Sequence, residues 1–288
     1  YTPDNRIFNL VSERIYGLAI DRVAFDQELA AQAGAAGAEI RSSSRVVHLA
    51  GIPGGVKARI QKRCSAAIDQ NVSCRLVIGA DGYNSLVARW LGLPHPSQKV
   101  FIYSAEVELL STSEQVVEIF LGQWFAPGWF AWVIPIGPGL ARVGTGVTKQ
   151  LDFLAGWTGA RQLFSRVVEA HPGIFKGLRV LKSTGGALPI GLMARSYGPH
   201  ALLVGDAACH TKPISGGGLY LGLEAAKLCA EAAVSSLKAR DYSSEFLSRY
   251  QRAWERKVGR EISCGLMHRE VFLKMSDQEI NNMIAFLD

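Results

Sequence analysis

The sequence lacks the cysteine pattern of a disulfide framework or of a zinc site. Its 288 residues include five cysteines, an odd number, at wide spacings and without a CxxC pair. Paired cysteines stabilise small extracellular domains, and closely spaced cysteines bind zinc. We therefore expect no metal site, and we expect a reducing, cytoplasmic location.

Long apolar runs and dense clusters of one charge are also missing. No apolar run approaches the roughly 18 residues that cross a bilayer, and no signal-peptide pattern opens the chain. Lys and Arg number 31 against 25 Asp and Glu, a net charge of +6, but they are scattered and not interleaved with aromatic residues. We expect no nucleic-acid partner, whereas the basic balance permits an anionic small molecule or a lipid surface.

The phosphate-binding fingerprint GxGxxG is missing as well, since the nearest candidate, Gly216–Gly222, has the wrong spacing. The chain instead contains two strand-to-helix turns that each carry an aspartate. The first is RLVIGADGYN, in which a strand at Leu76–Ile78 precedes Asp81 and Gly82, and a short helix follows at Ser85–Trp90.

The second turn is longer and more distinctive, and it reads ALLVGDAACHTKPISGGGLYLG. A buried strand is predicted at Ala201–Val204, followed by Asp206 and three consecutive glycines, with a helix from Leu219 onward. Amide donors at a helix N-terminus favour electron-rich ligands. This pattern is typical of the strand-to-helix turn against which a cofactor binds in an α/β protein.

Between the two turns the sequence changes from α/β to an antiparallel pattern. Helices are predicted at 25–34, 151–170, 243–272 (one or two) and 276–287, the last with a Ser276–Glu279 capping box. Short strands are predicted at Arg14–Ile20, Glu39–Arg41, Val46–Leu49, Leu178–Leu181 and Ala187–Ile190. Four further strands form the insertion. The inserted strands are Phe101–Leu109, Gln115–Leu121, Trp129–Ile136 and Leu140–Thr148. We predict a partial cofactor-binding domain at 1–99, a substrate domain at 100–190, the return of the first domain at 191–240, and C-terminal helices at 241–288.

The two aspartate turns resemble the FAD-binding set of flavoproteins with the para-hydroxybenzoate-hydroxylase fold. Within that group the chain resembles the geranylgeranyl reductase family, through PGWFAWVIPIG, STGGALP and IDRVAFDQELAAQAGAAGA as well. The resemblance covers nearly the whole chain. It implies an FAD/NAD(P)-binding Rossmann-like domain of α/β class with an inserted antiparallel-sheet domain. It also implies that the first βαβ unit, with GxGxxG, would lie before Tyr1, so we expect an N-terminally truncated reductase.

The resemblance implies roles for particular residues at an FAD site. Asp206 would accept hydrogen bonds from ribityl or pyrophosphate-side hydroxyls, and amides after Pro213 would face the flavin. The cofactor-binding residues implied in this way are Arg22, Val46, Asp81, Gly82, Asp206, Pro213, Gly217, Gly218 and Leu219. Arg22 could instead be a solvated residue at a helix start, Val46 a core residue, and Asp81–Gly82 only a turn.

Five other residues have two interpretations each. Trp129 and Trp132, the implied substrate residues, lie three apart in a predicted strand, so they should face opposite sides, with one in the core and the other at a pocket. His210 could be a general acid, although a structural role is more usual. Cys209 is expected to pack rather than do redox chemistry, and Tyr220 is either a proton donor or a core residue.

The resemblance implies an enzyme that reduces isolated C=C bonds of a polyprenyl chain with reduced FAD. The substrate would be a polyprenyl lipid or prenyl diphosphate, with NADPH or ferredoxin as electron donor, and with peripheral contact to a membrane. No catalytic residue is assigned. The alternatives are an FAD-dependent monooxygenase of the same fold, or a non-catalytic fragment.

Overall fold

The computed structural model describes residues 1–13, 18–62, 70–94, 96, 98–109, 115–148 and 157–287. The helices are α1 (Arg22–Ala35), α2 (Leu86–Trp90), α3 (Trp157–Ala170), α4 (Leu219–Ala239), α5 (Ser244–Trp254), α6 (Arg260–Lys274) and α7 (Asp277–Leu287). The strands are β1 (Ser44–Ile52), β2 (Gly55–Lys62), β3 (Gln70–Cys74), β4 (Val77–Gly79), β5 (Gln98–Glu108), β6 (Glu118–Phe120), β7 (Ala131–Gly137), β8 (Leu140–Thr148), β9 (Arg179–Ile190), β10 (Tyr197–Gly198) and β11 (Ala201–Leu203).

The chain divides into two compact units. One consists of Tyr1–Ile40, Val100–Ala187 and Val271–Asp288, and we call it the sheet unit. The other consists of Arg41–Lys99 and Leu188–Glu270, and we call it the turn unit because it holds both aspartate turns.

The turn unit contains a small sheet in the order β10-β11-β4. Strands β4 and β11 are parallel, with Ala201 opposite Val77 and Leu203 opposite Gly79. The amide of Val204 extends the pairing by donating to the carbonyl oxygen of Gly79 at 2.9 Å. The predicted strands that precede the two aspartate turns are thus confirmed, and they are direct neighbours.

Helix α2 packs closely on this parallel pair, at a position where only glycine fits. A Cβ on Gly79 would lie 2.7 Å from Leu203 Cδ2 and 2.7 Å from Val87 Cβ. Leu203 and Val87 are buried in one apolar cluster with Leu49 of β1. The absence of a side chain at position 79 therefore lets the helix approach the strands.

Helices α4 and α5 form a second apolar cluster of the turn unit. Leu221, Ala225 and Cys229 recur every four residues on the buried face of α4, as expected for an amphipathic helix. They pack in one cluster with Tyr250 and Trp254 of α5. The helix predicted from Leu219 is confirmed.

The turn unit also contains an antiparallel sheet in the order β1-β2-β3. The strand predicted at Glu39–Arg41 is wrong, because pairing begins only at Ser44. Ser43 has a φ of +52°, a left-handed turn conformation that precedes the strand.

The sheet unit is built on five strands in the order β6-β7-β8-β5-β9. One face carries alternate residues such as Val107, Val133 and Val143, which pack with Phe164 and Val167 of α3 in a buried cluster. The antiparallel strands predicted from the sequence are therefore confirmed as one sheet, and α3 covers one of its faces. Its opposite face carries the intervening residues.

Two strand predictions in this part of the chain differ from the structure. The strands predicted at Leu178–Leu181 and Ala187–Ile190 are both found, but they are parts of one continuous strand, Arg179–Ile190, rather than two separate strands. Gly186 does not have a positive φ, so it continues the extended backbone. Leu18–Ile20 is not a strand; residues 14–17 of that prediction, and residues 151–156 of the predicted helix, lie outside the described residues.

The C-terminal helices follow the predictions closely. Helices α5 and α6 are joined by a π-helical segment at Glu255–Gly259, so the predicted long helix contains one extra-wide turn. The capping box is confirmed: the amide of Glu279 donates to Ser276 Oγ at 3.3 Å, and the amide of Ser276 donates to Glu279 Oε2 at 2.8 Å.

We predict that Gly79→Ala lowers the free energy of unfolding by about 1–3 kcal/mol, because the added methyl group overpacks the site between β11 and α2. Thermal or urea unfolding measures the loss. Gly51→Ala is the matched control: it lies in a strand, and its added Cβ would meet no atom within 4 Å. Equal stabilities of the two variants would contradict the close packing at Gly79.

Candidate functional site

The two aspartate turns lie at the same edge of the parallel pair. Asp81 follows Gly79 by two positions and Asp206 follows Leu203 by three, and Gly79 and Leu203 are opposite each other. Carboxyl ends of parallel strands form the ligand-binding edge of α/β sheets. This edge is the candidate cofactor site of the turn unit.

A short 3-10 turn at Gly205–Ala208 places Asp206 at this edge. It needs two left-handed residues, Gly205 at a φ of +66° and Cys209 at +59°. The amide of His210 donates to the carbonyl oxygen of Gly205 at 3.0 Å, which closes the turn.

His210 supports this turn from inside the protein. Its Nδ1 accepts a hydrogen bond from the Gly205 amide at 3.2 Å, so the ring proton lies on Nε2. The side chain is fully buried, edge-on to Trp254 with ring centroids 4.7 Å apart. Burial lowers the pKa of His210 to about 4. The imidazole is therefore neutral at pH 7, and the structure favours the structural interpretation over a general acid.

The Asp206 carboxylate is half-buried and has one partner from the next turn of chain. Thr211 Oγ1 donates to Asp206 Oδ1 at 3.1 Å. Burial raises the pKa of Asp206, and the bond from Thr211 opposes that shift. A Cβ on Gly218 would lie only 3.3 Å from Oδ1, so the glycine backbone approaches the carboxylate closely.

The glycine loop leads directly into the N-terminus of α4. It is closed by two backbone hydrogen bonds, from Lys212 to Gly217 at 3.1 Å and from Gly216 to Lys212 at 2.9 Å. Gly218, at the N-cap, provides no side-chain hydrogen bond to the helix. The first amides of a helix have no intrahelical acceptor, so the loop presents donors and the positive end of the helix dipole to an electron-rich group.

Neither the backbone conformation nor the surroundings of Gly217 require a glycine at this position. Its φ is not positive, and an added Cβ would meet Ser215 Oγ at 3.5 Å and Lys212 Cδ at 3.7 Å, which are ordinary contacts. The residue is exposed. The protein itself has room for a side chain at position 217. Such a side chain would, however, keep a flat ligand away from the loop amides.

One face of α6 holds the loop, a contact that sequence reasoning missed. Lys212 Nζ pairs with Glu261 Oε1 at 2.7 Å, and a Cβ on Gly265 would lie 2.8 Å from Pro213 Cδ. Arg269 Nη1 donates to the carbonyl oxygen of Pro213 at 3.5 Å. Burial lowers the pKa of Arg269 to about 10. The spacing of four residues between Glu261, Gly265 and Arg269 was the available signal, since it places them on one helix face.

Asp81 has a structural partner of its own. Its Oδ2 accepts a hydrogen bond from the amide of Leu86, the first residue of α2, at 2.6 Å. Ser85 is the N-cap and accepts from the Ala88 amide at 3.0 Å, and Gly82 has a φ of +77°. These contacts form a helix-starting turn, and the cofactor contacts of Asp81 and Gly82 stay a prediction.

Arg22 and Val46 are both exposed. Arg22 begins α1 in the sheet unit and pairs with Asp26 at 3.3 Å, as a solvated helix-start residue would. Val46 lies in β1, beside a bulge of the turn unit, and is 42% exposed. The core interpretation of Val46 is therefore wrong, and the cofactor contacts of both residues stay predictions.

Two further residues of the glycine turn are now placed. Cys209 is buried, and burial together with the Asp206 carboxylate raises the pKa of its thiol to about 12, which favours packing over redox chemistry. Tyr220 is 57% exposed, so its core interpretation is wrong. The ammonium of Lys212 lies 5.7 Å from the Tyr220 ring centroid.

In the sheet unit, Trp129 and Trp132 pack on one face of β8. A Cβ on Gly144 would overlap Trp132 Cζ2, and one on Gly146 would overlap Trp129 Cδ1. Gly144 and Gly146 are two apart in a strand and face the same side. The prediction of opposite faces is wrong because Trp129 precedes β7, where the alternation of a strand does not apply.

Phe130 completes this aromatic surface. Its ring stacks on Trp129 at 5.1 Å between centroids and is edge-on to Trp132 at 5.8 Å. Trp129 is buried, whereas Phe130 and Trp132 are partly exposed. We call Trp129, Phe130, Trp132, Gly144 and Gly146 the aromatic floor; it lies opposite the face that α3 covers.

Comparisons with known proteins find relatives that cover most of the chain. Residues 14–128 match the family model of an FAD binding domain. A digeranylgeranylglycerophospholipid reductase 2 from Methanothermobacter thermautotrophicus is 29% identical over 95% of this chain and 70% of its own length. A digeranylgeranylglycerophospholipid reductase from Methanothrix thermoacetophila is 31% identical over 93% of this chain and 68% of its own.

A solved structure has the same fold. It is a geranylgeranyl bacteriochlorophyll reductase-like protein from Thermoplasma acidophilum, with a TM-score of 0.83 and 25% identity, covering 92% of this chain and 66% of that one. The chain thus spans between 66% and 70% of the lengths of these three proteins.

We predict that His210 makes folding stability depend on pH between about 6.5 and 4. Because burial lowers the pKa of the folded state to about 4, only the unfolded chain takes up a proton in this range. Stability is full above pH 6.5 and falls as the pH drops towards 4, by up to about 3 kcal/mol.

His210→Asn removes the titrating group and keeps an acceptor for the Gly205 amide. Urea unfolding across this pH range should show a shallower loss for this variant than for the wild type. His268→Asn, at an exposed position of α6, is the control and should keep the wild-type slope. Identical slopes for all three proteins would contradict the buried neutral imidazole.

Proposed function

Because this chain belongs to the geranylgeranyl reductase family of FAD-dependent oxidoreductases, as its motifs predicted, we propose that it reduces C=C bonds of geranylgeranyl groups in a prenyl lipid. The observation that carries the substrate class is the aromatic floor. Two glycines of β8 leave room for two indole rings, and the resulting apolar face suits an isoprenoid chain.

The turn unit fits the FAD that the family match indicates. The uncapped amides at the start of α4 and the open approach over Gly217 suit a flat, electron-rich ring system. Asp206, half-buried beside these amides, offers a carboxylate to ribityl or pyrophosphate-side hydroxyls. When bound and reduced, FAD supplies a hydride equivalent to the alkene.

The residues of this chain supply position and surroundings for that chemistry. Helix α6 holds Pro213, and His210 holds the turn at Gly205, so the donors of the loop are fixed before a ligand arrives. An alkene without an activating carbonyl accepts hydride poorly. Alignment on a rigid apolar surface that excludes water is therefore the largest contribution expected of the protein.

The finer assignments of partner and location are also proposals. The reaction needs an electron donor, for which we propose NADPH or ferredoxin, and a lipid substrate favours peripheral contact with a membrane surface. Among the described residues, no helix is both long enough and apolar enough to cross a bilayer.

Single-turnover reoxidation tests the proposed reaction. The protein is reconstituted with FAD, reduced anaerobically, and mixed with a digeranylgeranyl glycerophospholipid; the flavin absorbance should return, and mass spectrometry should show two hydrogens added for each reduced bond. The fully saturated analogue is the matched control and should leave the flavin reduced.

Two outcomes would overturn this function. Substrate-stimulated oxygen consumption with a hydroxylated product would favour the monooxygenase alternative. A colourless protein that cannot be reconstituted with FAD would favour the non-catalytic alternative.

We predict that Gly217→Ala weakens FAD binding by about tenfold, the equivalent of one lost hydrogen bond to a charged group, because a methyl group would hold the ring away from the loop amides. The unfolding midpoint without FAD should not change, since the methyl group makes only ordinary contacts. Fluorescence titration with FAD measures the affinity.

Gly173→Ala is the control, because an added Cβ there meets no atom within 4 Å. A normal FAD affinity of Gly217→Ala would contradict the proposed contact with the loop.

A further inference from the structure

The face of the sheet that holds the aromatic floor also carries a row of charges. Arg142 lies two residues before Gly144 in β8 and shares its face. Glu106 lies directly opposite Arg142 in β5. We call Arg142, Glu106 and Lys182 the charged row.

One carboxylate holds two cations in this row. Glu106 Oε1 accepts from Arg142 Nη2 at 3.0 Å, and Glu106 Oε2 pairs with Lys182 Nζ at 2.8 Å. These contacts lower the pKa of Glu106, so its carboxyl group is ionised at neutral pH. The row has a net charge of +1, and the neighbouring pair of Arg179 and Glu108 adds none.

Stability does not account for these charges. The side chains of Arg142 and Glu106 are only 31% and 23% exposed, so both have lost part of their hydration. Partly exposed ion pairs contribute about 0–1 kcal/mol, and apolar residues in place of buried ones are often as stable. A charged row beside an apolar floor is better explained by recognition of a ligand.

Ser104 supplies a polar group between the floor and the row. It lies opposite Gly144 and two residues before Glu106 in β5. Its side chain is 6% exposed, and its hydroxyl has no hydrogen-bond partner among the described residues. A buried hydroxyl without a partner costs about 1–3 kcal/mol, so core packing alone does not explain a serine at this position.

We propose that Arg142 and Lys182 bind the phosphate group at the polar end of a prenyl substrate whose chain lies on the aromatic floor. The assignment rests on the proposed function. Two residues along a strand span about 7 Å, so the row begins where the floor ends. Arg142 uses one of its five N–H donors on Glu106, and a guanidinium binds phosphate oxygens in pairs.

Binding measurements on the full chain with three ligands test this subsite. The ligands are geranylgeranyl diphosphate, the neutral alcohol geranylgeraniol and inorganic pyrophosphate, measured by calorimetry. Arg142→Met and Lys182→Met should each weaken binding of the diphosphate about tenfold, the equivalent of one charge-assisted hydrogen bond. Binding of the alcohol should change less than twofold.

The charge of Glu106 gives a test of opposite sign. Glu106→Gln removes the competing carboxylate and should tighten binding of the diphosphate while leaving the alcohol unchanged. Arg142→Lys keeps the positive charge but loses the paired N–H donors, so its affinity for the diphosphate should lie between those of the wild type and Arg142→Met, which separates loss of charge from loss of fold. Lys176→Met, at an exposed position of the sheet unit, should match the wild type.

Several results would overturn the subsite. If the Met variants weaken binding of the diphosphate and of the alcohol equally, Arg142 and Lys182 affect only the shape of the aromatic floor and do not bind the phosphate. Pyrophosphate binding as tightly as the prenyl diphosphate would show a site for a free anion rather than a lipid head group. If the alcohol binds but Arg142→Met leaves the diphosphate affinity unchanged, the subsite fails and the proposed function survives, whereas binding of neither prenyl ligand by the wild type overturns both.

Discussion

The parallel pairing of β4 with β11 is the constraint on which the candidate cofactor site depends. Because the two strands run in the same direction and Gly79 is opposite Leu203, the turns that follow them end at one edge. The pairing needs a glycine at position 79, where α2 approaches. Tyr250 contributes from the other side by donating to the carbonyl oxygen of Leu203 at 2.8 Å. The position of Asp206 therefore depends on packing around β4 and β11, among residues that are not themselves part of the site.

The turn at Gly205 and the glycine loop that follows Asp206 are each supported by other residues of the turn unit. His210 closes the turn at Gly205 from the buried side, next to Trp254. Arg269 and Gly265 of α6 fix Pro213. Such support favours ligand binding by the loop amides, because hydrogen-bond donors that are already held in place lose little entropy on binding.

In the sheet unit, alternate residues of β8 face opposite sides of the sheet, so the core and the proposed substrate surface use different residues. Val143 of β8 faces α3 and the core, while Gly144 and Gly146 face the indole rings. Arg142 continues that second face into the charged row. One strand therefore contributes alternately to the stability of the fold and to a surface with an apolar part and a basic part.

The sequence by itself determined the features that depend on near neighbours along the chain. It predicted the strand–aspartate–helix turns, helix α4, the Ser276–Glu279 capping box and the family, because caps, periodicity and motifs act over a few residues. Only the tertiary structure decided that β9 continues through Gly186, that both tryptophans lie on one face, and that Arg269 of α6 anchors Pro213. The physical reason is that these features depend on burial and pairing between segments far apart in the chain, whose free energy exceeds the local preferences that a sequence pattern reports.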